Sequence, residues 1–335
     1  MSFVNISDVA RSLISQNQAK SLRSRQPDLM KELTNGVSAN PVKKLRGDLS
    51  QLASLNRFQS IFESYAQNNR ETAQWAQGMQ VSLESVVNST QSLFSDLSVT
   101  PEVSMDQVLE LAGKRAIGTM DAAISSLNIS IGGRYLFSGT EVATAPLAST
   151  EDLLTGLDAA VAGSTNLTDI EAAIESYFDV GGGFEAAIYQ GGASDIAPIN
   201  LDENETTDLA VRADDASIRD VFKAAAYAYV AASDALTLTR ADKTSLVSSS
   251  RSVALEAKDN VIGIQSRIGV SESRIEDATV RLSAAASAAE QSKLDLIGVD
   301  KFEAASRLED VNTNLELVYA ATVRISGISF LEFMR

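Results

Sequence analysis

The strongest constraint on the fold is a hydrophobic repeat of alternating three- and four-residue steps. It runs from Leu55 through Phe58, Phe62, Tyr65, Asn69, Thr72, Ala76, Met79, Leu83, Val86, Thr90 and Leu93 to Leu97. Such spacing places every member on one seam of an α-helix, whereas a strand would scatter them over both faces. With Asp48 as N-cap, it predicts one very long helix. Thr100-Pro101 ends that helix and starts another, with Thr100 capping and Pro101 in the first turn. The second helix continues through Val108, Ala112, Ala116, Met120, Ile124 and Leu127, so an antiparallel pair is expected.

The C-terminal third repeats the pattern at Val253, Ala257, Asn260, Ile264, Ile268, Ser271, Ile275, Ala278, Leu282, Ala285 and Ala289. Its many small residues allow close helix approach. A last segment carries Leu308, Val311, Leu315, Val318, Thr322 and Ile325 in the same alternation. At the other end, Ile6, Val9, Leu13, Leu22, Leu29 and Leu33 share a helical face before the stop signal Asn35-Gly36. The loop over 36–47 contains Asn40-Pro41, which disfavours helix there.

Apolar stripes at both ends need partners, and the middle of the chain offers few, so the N- and C-terminal arms are expected to pair. Two apolar residues per heptad bury too little surface to offset the ordering of the whole heptad. The terminal helices should therefore gain full order only when neighbouring subunits cover their outer faces. Contacts of that kind that do not close into a ring build a helical array. The residues assigned to packing and assembly are Val9, Leu13, Leu22, Leu29, Leu33, Leu308, Val311, Leu315, Val318, Ile325, Ile328 and Leu331.

Composition narrows the function classes. The 335 residues are 44% hydrophobic but only 6% aromatic, a supply suited to long packed helices. A formal charge of -16 opposes binding to nucleic acid, which requires a basic field. No apolar run is long enough to span a bilayer, and Asn5, Asp8, Arg11, Gln16 and Lys20 interrupt the start, so neither membrane insertion nor a Sec-type signal is expected. The absence of Cys and His removes disulfides, thiolate metal sites and the commonest general base. No cofactor or catalytic residue is assigned.

Between residues 141 and 220 the character changes. Gly181-Gly182-Gly183, Gly191-Gly192 and many carboxylates appear, with Arg212 and Arg219 the basic residues. Short alternating runs over 184–189 and 209–212 suggest strands, and 170–178 reads as a short helix. A small mixed α/β or β-rich inserted domain is expected. The fold class is thus mainly α, a long antiparallel bundle or coiled coil of the two arms with an insertion. The expected divisions are 1–47, a terminal coiled-coil helix and loop; 48–140 and 221–297, the halves of a helical rod; 141–220, the outer insertion; and 298–335, the C-terminal coiled-coil helix.

The stretch Gly132-Gly133-Arg134-Tyr135-Leu136-Phe137-Ser138-Gly139-Thr140 resembles the GRY(L/I)F(S/A)G signature of the flagellar hook-associated protein 3 family, within the flagellin superfamily. Read physically, it is a helix ending at glycine, an aromatic strand packed on the bundle and a second glycine turn. Leu33-Thr34-Asn35-Gly36 with Asn40-Pro41 is similar to the STG…NP stretch of that family, and the ending from Val318-Tyr319-Ala320-Ala321 through Leu331 resembles its terminus. Lys43-Lys44-Leu45-Arg46 stands where the family usually has the acidic SDDP. Asn40, Pro41, Gly133, Arg134, Tyr135, Phe137 and Gly139 carry the likeness. It implies a β-hairpin on the helical rod, a junction subunit between hook-associated protein 1 and the flagellin filament, self-packing in layers, and type III export to the extracellular flagellum with a dedicated chaperone.

Three rival readings stand beside it. Flagellin shares the architecture but not this loop or ending, and a bacteriophage-type tail protein is a more distant structural alternative. A carboxylate-dependent glycan hydrolase would draw on Asp195, Asp202, Glu203 and Glu205, and the run Asp202-Glu203-Asn204-Glu205 offers oxygen ligands without the calcium-loop spacing. A solvated acidic loop accounts for these carboxylates better, because spacing in a turn-rich stretch says nothing of convergence, and neither site is assigned. Phe62, Tyr65 and Trp75 read as bundle core or subunit interface rather than as a ligand site.

Overall fold

The computed structural model describes residues 6–98 and 105–333, and within these the side chains of 10, 13–98 and 107–324. The chain is mainly α-helical and divides into two compact units, Met1–Ser64 with Leu282–Arg335, and Tyr65–Arg281. Helices α3 (Ser50–Asp96) and α8 (Arg240–Ile297) contribute to both.

In the first unit, helix α1 (Ile6–Asn35) packs against α9 (Lys301–Phe333). The pair is antiparallel, since Arg23 reaches Tyr319 while Gln26 donates to Asn312 at 3.0 Å. The Arg23 guanidinium also lies over the Tyr319 ring, 5.2 Å from its centroid. The predicted stop at Gly36 holds, with φ at 71°. The loop after it is tied to the end of α8 and the connection that follows it by Ser38 N–H to Ile297 O and Val299 N–H to Gly36 O, at 2.8 and 2.9 Å.

The loop contains more helix than Asn40-Pro41 suggested. Pro41–Lys44 forms one turn, α2, with the Asn40 side chain accepting from Lys43 N–H. The restriction imposed by proline falls on Asn40, which is non-helical, while Pro41 itself suits the first turn. Helix α3 likewise starts two residues after Asp48, whose carboxylate accepts from the Ser50 N–H and hydroxyl.

In the second unit, α3 runs antiparallel to α4 (Met105–Leu127), with Ser85 bonded to Ser126 and Asp96 paired with Arg115. Its other neighbour, α8, is held by Gln80 donating to Gln265 O and by Lys258 donating to Gln91. The α3 seam is buried from Asn69 through Leu97, as the repeat requires. Its earlier positions are less so: Leu55, Phe62 and Tyr65 are half-buried and Phe58 is exposed. On α8 the seam passes through Val261 rather than Asn260, giving Ala257, Val261, Ile264, Ile268, Ser271, Ile275, Ala278 and Leu282 in unbroken four-three alternation. Choosing Asn260 broke the step pattern by one residue and put an amide where an apolar side chain sits. Thr100 and Pro101 lie outside the described residues.

The signature stretch opens with a hairpin, not a helix end. Helix α4 stops at Leu127, and β1 (Ser130–Ile131) pairs antiparallel with β2 (Arg134–Tyr135). Gly132 and Gly133, with φ of 59° and 79°, form the two-residue turn, which needs positive φ at both central positions.

The insertion is more helical than its composition indicated. Helix α5 (Thr150–Val161) was not foreseen, while α6 (Leu167–Phe178) covers the expected short helix. The run read as a strand at 184–189 is a single π-turn over Phe184–Ile188, closed by Tyr189 N–H to Phe184 O at 2.9 Å. Residues 209–212 form no strand; Val211 N–H turns back to Leu209 O. The β content of this region is the hairpin β3 (Ile199–Asn200) with β4 (Thr206–Thr207) and a single antiparallel bridge between Leu147 and Tyr189. Helix α7 (Ala216–Ala232) buries Ala224, Ala225, Ala228 and Ala231, and packs on α4 closely enough that a Cβ on Gly113 would sit 2.7 Å from that of Ala232. Phe184 joins α6 to α7, its ring 5.6 Å from Phe178 and 5.2 Å from Phe222.

Candidate assembly surface and signature motif

The predicted packing residues divide by position on α1 and α9. Leu22, Leu29 and Leu33 are half-buried on α1, and Val311 and Leu315 are buried on α9, with Leu308 and Val318 half-buried beside them. Leu13 is 58% exposed and so lies off this seam. The side chains of Val9, Ile325, Ile328 and Leu331 lie outside the described residues. Beyond the seam, α1 exposes Ile14 and Met30, and α9 exposes Leu317, Tyr319 and Val323.

The motif residues form a junction between the bundle and the insertion. Leu136, Phe137, Ser138 and Gly139 are buried, whereas Arg134 is exposed and stacks over Trp75 at 4.7 Å. Trp75 packs against the core, so this aromatic serves the bundle and the hairpin together. Backbone bonds run from Ala213 N–H to Phe137 O at 2.9 Å, Gly192 N–H to Ser138 O at 2.8 Å, and Thr140 N–H to Ser194 O at 3.1 Å. Gly133 lies in the hairpin turn, and Tyr135 donates its N–H to Val142 O at 2.8 Å. Asn40 and Pro41 belong to the loop of the first unit.

Gly139 has no room for a side chain. Its φ is 57°, and a Cβ would meet Ser194 O at 2.6 Å and Arg212 Cδ at 3.0 Å. Gly139→Ala is expected to cost about 1–2 kcal/mol from the backbone conformation alone. Displacement of the 192–194 segment adds to this. The loss is measured as a lowered urea midpoint, and an unchanged midpoint would contradict the clamp.

Sequence reasoning missed Asn128, which follows α4. Its amide donates to Leu147 O and accepts from Leu147 N–H, both at 2.9 Å, which fixes the first segment of the insertion. An asparagine just past a helix was the available signal, but its partner lies 19 positions away.

The four carboxylates weighed for catalysis do not converge. Asp195 pairs with Arg212 at 3.2 Å. Asp202 and Glu205 both engage Arg281, and Asp202 also accepts from Asn204 and Glu205 N–H at 2.8 Å. Glu203 is exposed. The N–H bond from Asn204, with help from Arg281, holds the Asp202 carboxyl below its ordinary range, the opposite of what a general acid needs. Asp202 and Glu205 clasp α8 to the β3–β4 turn. Among the described residues, no group of three or more carboxylates is arranged to hold a metal ion.

Behind Gly139 lies a partly buried ionic cluster. Arg212 Nε is 3.0 Å from Asp214, and Arg219 is 3.7 Å from Glu185. Burial pushes the Asp214 carboxyl up, against the pull of Arg212. The same desolvation, with the Asp214 charge, pushes Tyr189 up to about 12. A raised carboxyl favours the protonated form on folding. Its contribution is complete below the ordinary value of 3.8 and is lost as pH rises through the folded-state value. The stability of the wild type relative to Asp214→Asn should therefore rise when urea unfolding is compared at pH 7 and then pH 4. Equal changes in both proteins would show that Asp214 is not the group concerned.

With this geometry in place, the class of protein can be compared with known ones. A solved structure from Vibrio parahaemolyticus, provisionally assigned as a flagellar hook-associated protein, shares the fold with a TM-score of 0.52. The match has 17% identity and covers 73% of this chain and 95% of that one. Residues 253–334, the second part of α8 with α9, match the family model of the bacterial flagellin C-terminal helical region. No curated protein matches the chain. The family match is confined to this C-terminal helical region, and at its identity the solved structure shows a shared fold.

Proposed function

We propose that the chain is a structural subunit of the bacterial flagellum that joins hook-associated protein 1 to the flagellin filament. The coarser part of this reading, a flagellar structural subunit rather than an enzyme, is supported by the C-terminal family match and the shared fold. The observation that carries it is the antiparallel pairing of α1 with α9, which leaves apolar side chains such as Leu317 and Val323 exposed, 62% and 70%. Exposed apolar side chains of that kind suit surfaces that neighbouring subunits cover.

The finer assignment rests on the Gly133-to-Gly139 motif, whose resemblance is to the junction family. Type III export of the chain to the extracellular flagellum, with a chaperone holding its C-terminal helix until release, belongs to the same reading. Among the described residues, no helix is long and apolar enough to cross a membrane. Flagellin itself is the second reading, favoured by the family match over residues 253–334.

The test is electron microscopy and secretion analysis of cells deleted for the gene. The junction role predicts hooks without filaments, flagellin in the medium and rescue by the full chain. Normal filaments in the deletion strain would reject it.

A further inference from the structure

Residues 196–207, which carry β3, β4 and the turn between them, bridge α3 and α8 in the second unit. On the α3 side Asn68 donates to Asn200 O at 2.7 Å. On the α8 side Arg281 reaches Glu205 and, at 3.2 Å, Asp202. The segment is pinned just before it starts by Arg212 on Asp195 at 3.2 Å, and just after it ends by Ser271 donating to Asp208 O at 2.7 Å. Between those pins, among the described residues, its backbone-to-backbone hydrogen bonds are internal. They are the β3–β4 pairing and the bonds that Leu201 and Asp202 N–H give to Glu205 O.

Closure of this segment is opposed as well as favoured. Leu201 is fully buried, and its burial acts together with the Arg281 pairs to hold the segment down. Against this, Thr207 is 1% exposed and its hydroxyl finds no partner within the protein. Asn69, the neighbour of Asn68, is fully buried, and neither of its amide atoms is bonded. A buried polar group without a partner loses its hydration uncompensated, so the closed position is resisted at the end of α3 that the segment grips. The Arg281 side chain is 52% exposed, which leaves the pairs that tip this balance open to screening by dissolved ions.

We infer that residues 196–207 are a salt-sensitive strap that lifts from the α3–α8 pair as a unit, closed while Arg281 holds Asp202 and Glu205 and open when those pairs break. Opening releases Leu201 and hydrates Thr207, while the ties at Asp195 and Asp208 keep the ends of the strap in place. The two helices stay packed through seam positions such as Ala76, Met79, Ile264 and Ile268, which are buried independently of it. Local opening of this kind lies well below global unfolding in free energy. The surface beneath the strap is therefore covered at low ionic strength and accessible at high. The device belongs to the folded chain and does not depend on its place in a flagellum.

Hydrogen exchange of the purified full chain, read by mass spectrometry, tests it. In the wild type, amides over residues 199–207 are expected to exchange about three- to tenfold faster in about 1 M salt than in about 0.01 M, between which the Debye length falls from about 30 to about 3 Å. Arg281→Gln should exchange at the faster rate in both. Arg281→Lys, which keeps the charge without the planar fork, should lie between the two. Thr207→Val removes the unpartnered hydroxyl at nearly constant shape and should slow exchange about fivefold. Peptides from α4 serve as the reference for any effect of salt on exchange itself, and they should not differ between variants.

Equal rates for the wild type and Arg281→Gln overturn the inference, as do wild-type rates that do not respond to salt. Faster exchange in Thr207→Val also overturns it, since the hydroxyl would then be satisfied in the closed strap. Protection lost from α4 together with the strap in Arg281→Gln would mean that the segment opens only when the unit unfolds, and this too contradicts a separate strap. The flagellar reading stands or falls separately, in the deletion strain.

Discussion

Phe137→Ala is expected to destabilise the second unit by about 3–5 kcal/mol, read as a fall in the urea midpoint without a change in slope. Phe137 is fully buried, and the backbone around it is held on both sides. Its own carbonyl accepts from Ala213 N–H at 2.9 Å, and the next residue, Ser138, donates to Thr144 O at 2.6 Å. With the chain pinned in this way, the cavity left by the ring cannot collapse, which places the loss toward the upper end of the range. Phe137→Leu keeps most of the volume and should lose much less. Coincident midpoints for wild type and Phe137→Ala would contradict a packed junction at the motif.

The second large effect follows from removing residues 309–335. That deletion takes away Val311 and Leu315, the buried positions of α9 opposite the α1 stripe of Leu22 and Leu29. Helix α1 has Pro27 inside it and packs its short leucine stripe on α9, so without that partner it should not persist. Hydrogen exchange measured by mass spectrometry should show amides of α1 over residues 20–35 moving to near-unprotected rates. Peptides from α4 and α7 should keep their protection. Retained protection in α1 would mean that something other than α9 orders it.

How much of this was legible depended on the range of the interaction. The seams of α3, α8 and α9 could be read because each heptad position reports on burial, and the repetition averages out single errors. Asn260 against Val261 was such an error, and the steps on either side correct it. Helix α5 could have been found. Ser149 and Asp152 form a capping box, and Leu153, Leu157 and Val161 recur at intervals of four. The acidic and glycine-rich composition around it drew attention to turns instead.

The π-turn at Phe184 had no readable signal, because a single turn has no periodicity and its alternating side chains mimic a strand. Interactions that set the candidate site were hidden for a different reason. Arg281 lies 76 residues from Glu205, and Arg115 lies on a different helix from its partner Asp96. Sequence spacing carries no record of such pairs. The family motif gave Gly139 its place, but the need for glycine there came from the approach of Ser194 O and Arg212, which only the folded chain brings together.

The most direct measurement is immunogold labelling of the untagged full chain on intact flagella, with an antibody raised against its insertion. The junction account predicts label confined to a single site where the hook meets the filament. Label along the whole filament would contradict it and make the chain a flagellin, and flagella without label would contradict any structural place for it there.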